Sequence, residues 1–217
     1  MMISKFKIFG IVMFISMLAL LTSGCTQLIE SETSGLEQVK GPAEITLTPV
    51  DVFKGDGAKF QPFLGAMSGA FKLRYEGKKP NAKLDIDIWK NGEKAASSGS
   101  IGDLFFSSDV RESYEVEVII SIETVSIEGQ DEFNTIKVGI IQDSGSTLAT
   151  FTIPWDKQLT TRGLIYNNEP RTFIAGESVY VWGIQATSTN EIHTADFSPE
   201  SLSRLEWALI FTLRFED

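Results

Sequence analysis

A single cysteine, Cys25, and a single histidine, His193, stand in a chain of 217 residues. One thiol cannot build a disulfide framework or a zinc site of several thiolates. One imidazole removes most metal-ligand and most acid–base constellations. Basic side chains are scarce too: 19 Lys and Arg face 29 Asp and Glu, a formal net charge of −10. Phosphate binding needs a basic surface, so nucleic acid is excluded as the main partner. What is present is ordinary. A hydrophobic fraction of 42% and a charged fraction of 22% are globular values, which excludes a disordered or collagen-like chain.

Catalytic motifs are missing as well. No G-x-S-x-G or S-x-x-K marks a nucleophile. A Ser–His–Asp triad would have to use His193 with Asp196, but both lie in the polar stretch Ser188–Asp196, where a solvated loop histidine is the plainer reading. Gly77-Lys78 lacks the upstream glycine and the following Ser/Thr of a phosphate loop. Asp51, Asp56 and Gly57 do not match the spacing of a calcium loop. Gly65 and Gly69 form a G-x-x-x-G outside any membrane helix, where it carries no weight. The expectation is a protein that is not an enzyme, with no cofactor and no metal.

The N-terminus is distinctive. Lys5 and Lys7 are the only charges before Glu30, and an unbroken apolar run follows them from Ile8 to Leu21. At ~1.5 Å per helical residue that run reaches about 21 Å, short of a hydrocarbon core of roughly 30 Å. It fits the apolar core of a signal peptide, with the basic end kept cytoplasmic. Thr22, Ser23, Gly24 and then Cys25 come next. This order, Leu21-Thr22-Ser23-Gly24-Cys25 behind a Lys-flanked apolar helix, resembles the bacterial lipoprotein signal peptide. The resemblance covers residues 1–25 only. It implies that the Cys25 thiol is acylated, that cleavage before Cys25 removes residues 1–24, and that the domain is held outside the cytoplasm by a lipid. In a host with two membranes, Gln27 in place of the retention aspartate implies sorting to the outer membrane. Losing Lys5 and Lys7 leaves a still more acidic chain, which anionic headgroups repel. The lipid would then be the membrane attachment.

Residues 26–43 are polar, contain Glu30, Glu32 and Glu37, and end in Gly41-Pro42-Ala43. They read as a flexible tether spanning about 24 Å as a coil. From Glu44 onward the pattern becomes period two, as in Phe71-Leu73-Tyr75, Leu84-Ile86-Ile88, Tyr114 to Ile122, Ile136-Val138-Ile140 and Leu205 to Phe215. Alternation of β-branched and aromatic residues predicts strands with one face in a core. Leu148–Ile153 and Val179–Ala186 are apolar on both parities and predict strands buried on both faces or near an edge contact. Asn91-Gly92 predicts a two-residue hairpin. Ser198-Pro199-Glu200 predicts a short helix. Residues 55–70 read as a loop rich in Gly and Ala packing over one end. About nine strands with no helical period between them predict one antiparallel β-sandwich over 44–217, immunoglobulin-like strand order being one candidate topology and a closed barrel the runner-up.

Trp207 falls on the apolar parity of its strand and Trp182 shares parity with Tyr180 and Ile184, so both are expected in the core. Trp89 falls instead with Asp85 and Asp87, away from Leu84, Ile86 and Ile88. Asp85 and Asp87 stand about 6.6 Å apart along the strand. That spacing permits a glycosidase pair, but two carboxylates in line on a water-facing strand lack the desolvation catalysis needs. A tryptophan beside carboxylates on an open face is suited to stacking on a sugar or anchoring a protein. Trp89, Asp85 and Asp87 are therefore the candidate binding residues. The function expected is a lipid-anchored binding module for a protein partner. A carbohydrate- or envelope-polymer-binding module is the alternative, and an envelope enzyme with an unrecognised site the second alternative.

Overall fold

The computed structural model describes residues 41–107, 111–126, 128 and 131–216. The expected signal segment, Cys25 and the expected tether as far as residue 40 lie outside these. Two antiparallel sheets pack face to face as a sandwich. The first has the order β7 (Gly145–Pro154), β6 (Phe133–Gln142), β5 (Ser113–Val125), β2 (Ser68–Glu76), β1 (Glu44–Val50), β9 (Arg171–Ile174). The second has the order β4 (Glu93–Ile101), β3 (Asn81–Lys90), β11 (Trp207–Glu216), β10 (Val179–Thr187), β8 (Thr161–Tyr166).

Among the described residues eleven strands stand where alternation predicted about nine. The strands without a readable period are β4, β8 and β9, and all three are sheet edges. An edge strand buries little, so selection for alternating apolar residues is weak there. The β4 sequence, EKAASSGSI, has no β-branched residue before Ile101. The strand order also departs from the immunoglobulin arrangement. The last strand, β11, lies beside β3 with β10 outside it, whereas an immunoglobulin domain places its penultimate strand there.

The interior between the sheets is the set the alternation named. Ile45, Leu73, Val118, Ile136, Leu84 and Leu209 are all fully buried. Trp182 packs edge-on against Phe211 at 5.5 Å, and Trp207 against Trp155 at 5.3 Å. The β3–β4 hairpin turns at Asn91 (φ 52°) and Gly92 (φ 79°), both left-handed as a type I′ turn requires. A Cβ on Gly92 would lie 2.3 Å from the Ser203 carbonyl oxygen, so glycine is needed there for space as well. Pro154 is the last residue of β7. Ser198 caps the helix Pro199–Leu202 by accepting from the Ser201 N–H.

A second, smaller core lies on the outer side of the second sheet. Ile165, Ala208 and Ile210 are covered by Leu202 and Leu205, with Trp89, Tyr180, Ala195 and Phe197 packed around them. The connection between β10 and β11 folds back over this face. The expectation that β11 shows one parity to water is thus corrected, since Ile210 is as buried as Leu209. The segment before β2 is also more ordered than a plain loop. It forms a 3-10 turn at Gly55–Phe60 and a helical turn at Gln61–Leu64, and β2 already begins at Ser68.

Candidate functional site

Asp85 and Asp87 do share one face of β3, but the face is not open to water. Asp85 is 8% exposed and Asp87 1%. The register sets Asp85 opposite Thr212 on one side and Ser100 on the other. The Ser100 hydroxyl donates to Asp85 Oδ1 at 2.7 Å, and Arg214 Nε lies 2.8 Å from Asp85 Oδ2. Lys94 Nζ lies 2.7 Å from Asp87 Oδ1, while Thr212 donates to Asp87 Oδ2 at 3.1 Å. Arg214 Nη2 completes the group at 3.9 Å from Asp87 Oδ2. The carboxylates face this chain's own cations and hydroxyls, which holds β4, β3 and β11 together. Burial and the negative Asp87 push the neighbouring Tyr180 phenol above its ordinary pKa.

Trp89 is half-buried, not an open platform. It meets Tyr180 edge-on at 5.8 Å, and Tyr180 in turn meets Phe197 at 5.9 Å. Its Nε1 is buried without a hydrogen-bond partner among the described residues. The segment between β10 and β11 supplies the cover, and no local period in that polar segment announces it.

His193 is exposed on the same segment. Its backbone carbonyl accepts from Gln185 Nε2 at 2.8 Å. Asp196 accepts from the Ser198 N–H and hydroxyl, so it works as a turn-forming group. Glu206 closes the other end by accepting from the Thr187 hydroxyl at 2.8 Å and the Ser188 N–H at 2.9 Å. These hydrogen bonds hold the Glu206 and Asp196 carboxyls below their ordinary values. A depressed carboxyl contributes stability above its unfolded pKa and loses it as pH falls through the folded value. Acidification into that range is expected to loosen residues 188–206 before the sandwich melts. Faster amide exchange at Ser188 and a shift in Trp89 emission would show it; simultaneous loss of all structure would contradict it.

Residues 185–195 and 201–206 enclose a polar concavity, and a more apolar one lies on the side of the sandwich bounded by β8, β9 and β1. The other side is closed, with the Phe151 ring of β7 lying against Gly99 of β4. On the open side β9 is four residues long and pairs β1 only as far as Leu47. Beyond it a cleft of about 530 Å³ enters between the sheets. Leu47, Phe71, Leu164 and Val181 line its walls, together with the Trp182 indole. The indole crosses from one sheet to the other and rests on Gly69, where a Cβ would lie 2.2 Å from Nε1. At the mouth stand Phe53, Gln61, Tyr166, Asn167 and Asn168. Phe60 and Phe63, on the turns beside the mouth, are 50% and 80% exposed, and Tyr166 is 46% exposed.

The backbone at this mouth is not set up for strand addition. Ala43 accepts from the Ala175 N–H, so the odd-numbered residues of β1 point their backbone groups toward β9. The next one past the end of β9 is Pro49, which has no N–H to offer. A molecule entering the cleft would therefore meet side chains rather than a free strand edge. Sequence reasoning named Trp182 as core and noticed two Phe residues in 55–70. It did not bring them together, because Tyr166 and Trp182 meet residues 47–71 only through the packing of the two sheets.

Comparison of the chain with protein-family models, with curated proteins and with solved structures returns no match.

Proposed function

We propose that this protein is a lipid-anchored extracytoplasmic binding module that takes an apolar segment of a protein partner into its lateral cleft. The observation that carries the reading is the cleft between the open edges of the two sheets, with Phe53 and Tyr166 at its mouth and Phe60 and Phe63 exposed on the turns that also carry the mouth residue Gln61. Exposed aromatics clustered at a preformed concavity are the chemistry of an interface anchor. The anchor itself rests on the Cys25 signal. Cell membrane attachment through Cys25 and an outer-membrane address in a two-membrane host follow from that resemblance. The cleft's position suits the role: β1 leads away from residue 41 for roughly 20 Å before its last residues reach the cleft, so the mouth lies away from the tethered end.

The test uses the full chain in its own cells with a bifunctional cross-linker. Phe63→Ala combined with Phe60→Ala is expected to weaken the partner adduct by about 2 kcal/mol or more, roughly 30-fold. Stability should move by less than about 0.5 kcal/mol, since both rings are exposed. An unchanged adduct would remove the cleft from the reading. Cys25→Ser in the same cells should leave the chain uncut and unacylated by mass spectrometry. A mature N-terminus other than Cys25 would remove the anchor. A second reading draws on the amides of Asn167, Asn168 and Gln61 at the mouth, which suit a hydroxyl-rich envelope polysaccharide. Quenching of tryptophan emission by isolated polysaccharide would favour it over a protein.

A further inference from the structure

Edge strands are sites of unwanted pairing, and proteins blunt them with charges, proline, bulges or short length. Three edges of this sandwich are blunted, β8 among them, a six-residue strand that carries Arg162. β4 pairs β3 through two register shifts and carries Glu93 and Lys94. β9 has four residues, and the stretch of β1 beyond it contains Pro49. β7 is different. It runs for ten residues, GSTLATFTIP, with no charged side chain and no register shift against β6.

Its open backbone groups can be assigned. Gln142 pairs Gly145 across a two-residue turn, and in the same register the Trp155 N–H donates to the Glu132 carbonyl. Odd-numbered residues of β7 therefore bond to β6. Ser146, Leu148, Thr150 and Thr152 present their N–H and C=O to the open edge. All four are exposed.

We propose that β7 is a homodimer interface, at which two copies of this chain pair their β7 strands antiparallel about a twofold axis at Ala149. This register sets Leu148 opposite Thr150 and Ser146 opposite Thr152 of the second copy. Every outward N–H and C=O of those residues then finds a partner. A twofold one residue further on would set Ser146 against Pro154, which has no N–H to give. The side chains support the same axis. Leu148 is 67% exposed and Ile141, diagonal to it on β6 and opposite Ser146, is 41% exposed. Across the twofold the two Leu148 side chains become diagonal neighbours, and the apolar strip runs Ile141, Leu148, Leu148, Ile141. In a chain of net charge −10, two copies meet most readily along an uncharged strand. The facing sheet leaves room, because its β4 edge carries Ala95, Ala96, Ser97, Ser98 and Gly99 there. β7 is the edge opposite β1 and β9, so pairing leaves both clefts open and the dimer bivalent.

The test is disulfide trapping of the full chain in its native membranes with diamide as oxidant. Ala149→Cys places two thiols opposite each other, with Cα atoms about 4.5 Å apart and within disulfide reach. It should give a covalent dimer. Thr147→Cys, on the same face but out of register with itself, should give at most about a tenth as much, because its Cα atoms fall beyond ~7 Å. The unsubstituted chain, with Cys25 alone, sets the background. In parallel, detergent-extracted chain should have the mass of two copies. Thr150→Pro removes an N–H that bonds to nothing among the described residues of its own copy, and Leu148→Lys sets two charges side by side; each should give the mass of one. A single-copy mass for the unsubstituted chain, equal trapping at 147 and 149, or adducts only with another protein would overturn the proposal. Phe63→Ala should stay dimeric, so failure of the cleft reading and failure of this one are told apart.

Discussion

Trimming Ile210 to alanine is expected to destabilise the domain by about 2–5 kcal/mol, comparable with the ~3–5 kcal/mol of Trp207→Ala. The two residues lie on opposite faces of β11. Trp207 packs edge-on to Trp155 between the sheets, while Ile210 packs under Leu202 and Leu205 on the outer side. A one-faced strand would tolerate polar substitution at Ile210. Here the side chain is 0% exposed, and its removal leaves a cavity between β11 and the covering segment. Urea melts of the two variants measure this directly. An Ile210→Ala loss under about 0.5 kcal/mol would mean that the segment 188–206 does not cover the sheet in solution. Leu202→Ala should then report the same, since Leu202 touches the same cluster.

This outer core shows where the sequence could be read and where it could not. Tyr114 to Ile122 and Leu84 to Ile88 alternate because each strand divides a wet or polar face from a core, and those strands stand where the period put them. Asn91-Gly92 and Ser198-Pro199 were legible because a local backbone conformation demands those residue types. The edges β4, β8 and β9 were not, because an edge needs little apolar surface. Trp89, Asp85 and Asp87 were placed on the right face of the right strand. Lys94 comes from the adjoining arm of the hairpin, but the rest of what fills that face arrives from far along the chain: Arg214 from β11, and Phe197 from a connection with no period of its own. The cleft was hidden for the same reason. Gly69 and Trp182 meet across the two sheets, and no spacing along the sequence encodes that meeting.

Asp87 gives the test of how that face is built. Asp87→Ala is expected to cost about 2–3 kcal/mol, below the 3–5 kcal/mol of a fully buried broken pair because its cationic partners keep some access to water. Lys94 is 37% and Arg214 39% exposed. The substitution removes the Lys94 partner at 2.7 Å and the acceptor of the buried Thr212 hydroxyl at 3.1 Å. Asp87→Asn keeps an oxygen for Thr212 but loses the charge, so it should cost about half as much. Asp85→Ala should fall below Asp87→Ala, because Asp85 is the more exposed of the two carboxylates. Salt separates this arrangement from surface pairing. At about 1 M salt the screening length is roughly 3 Å, and an exposed pair worth 0–1 kcal/mol would vanish. Because Asp87 is 1% exposed, most of its contribution should survive that salt. Urea melts of the three variants at low and high salt measure it. A small loss that disappears in salt would return Asp85 and Asp87 to an open face, and Trp89 with them to the role of a binding anchor.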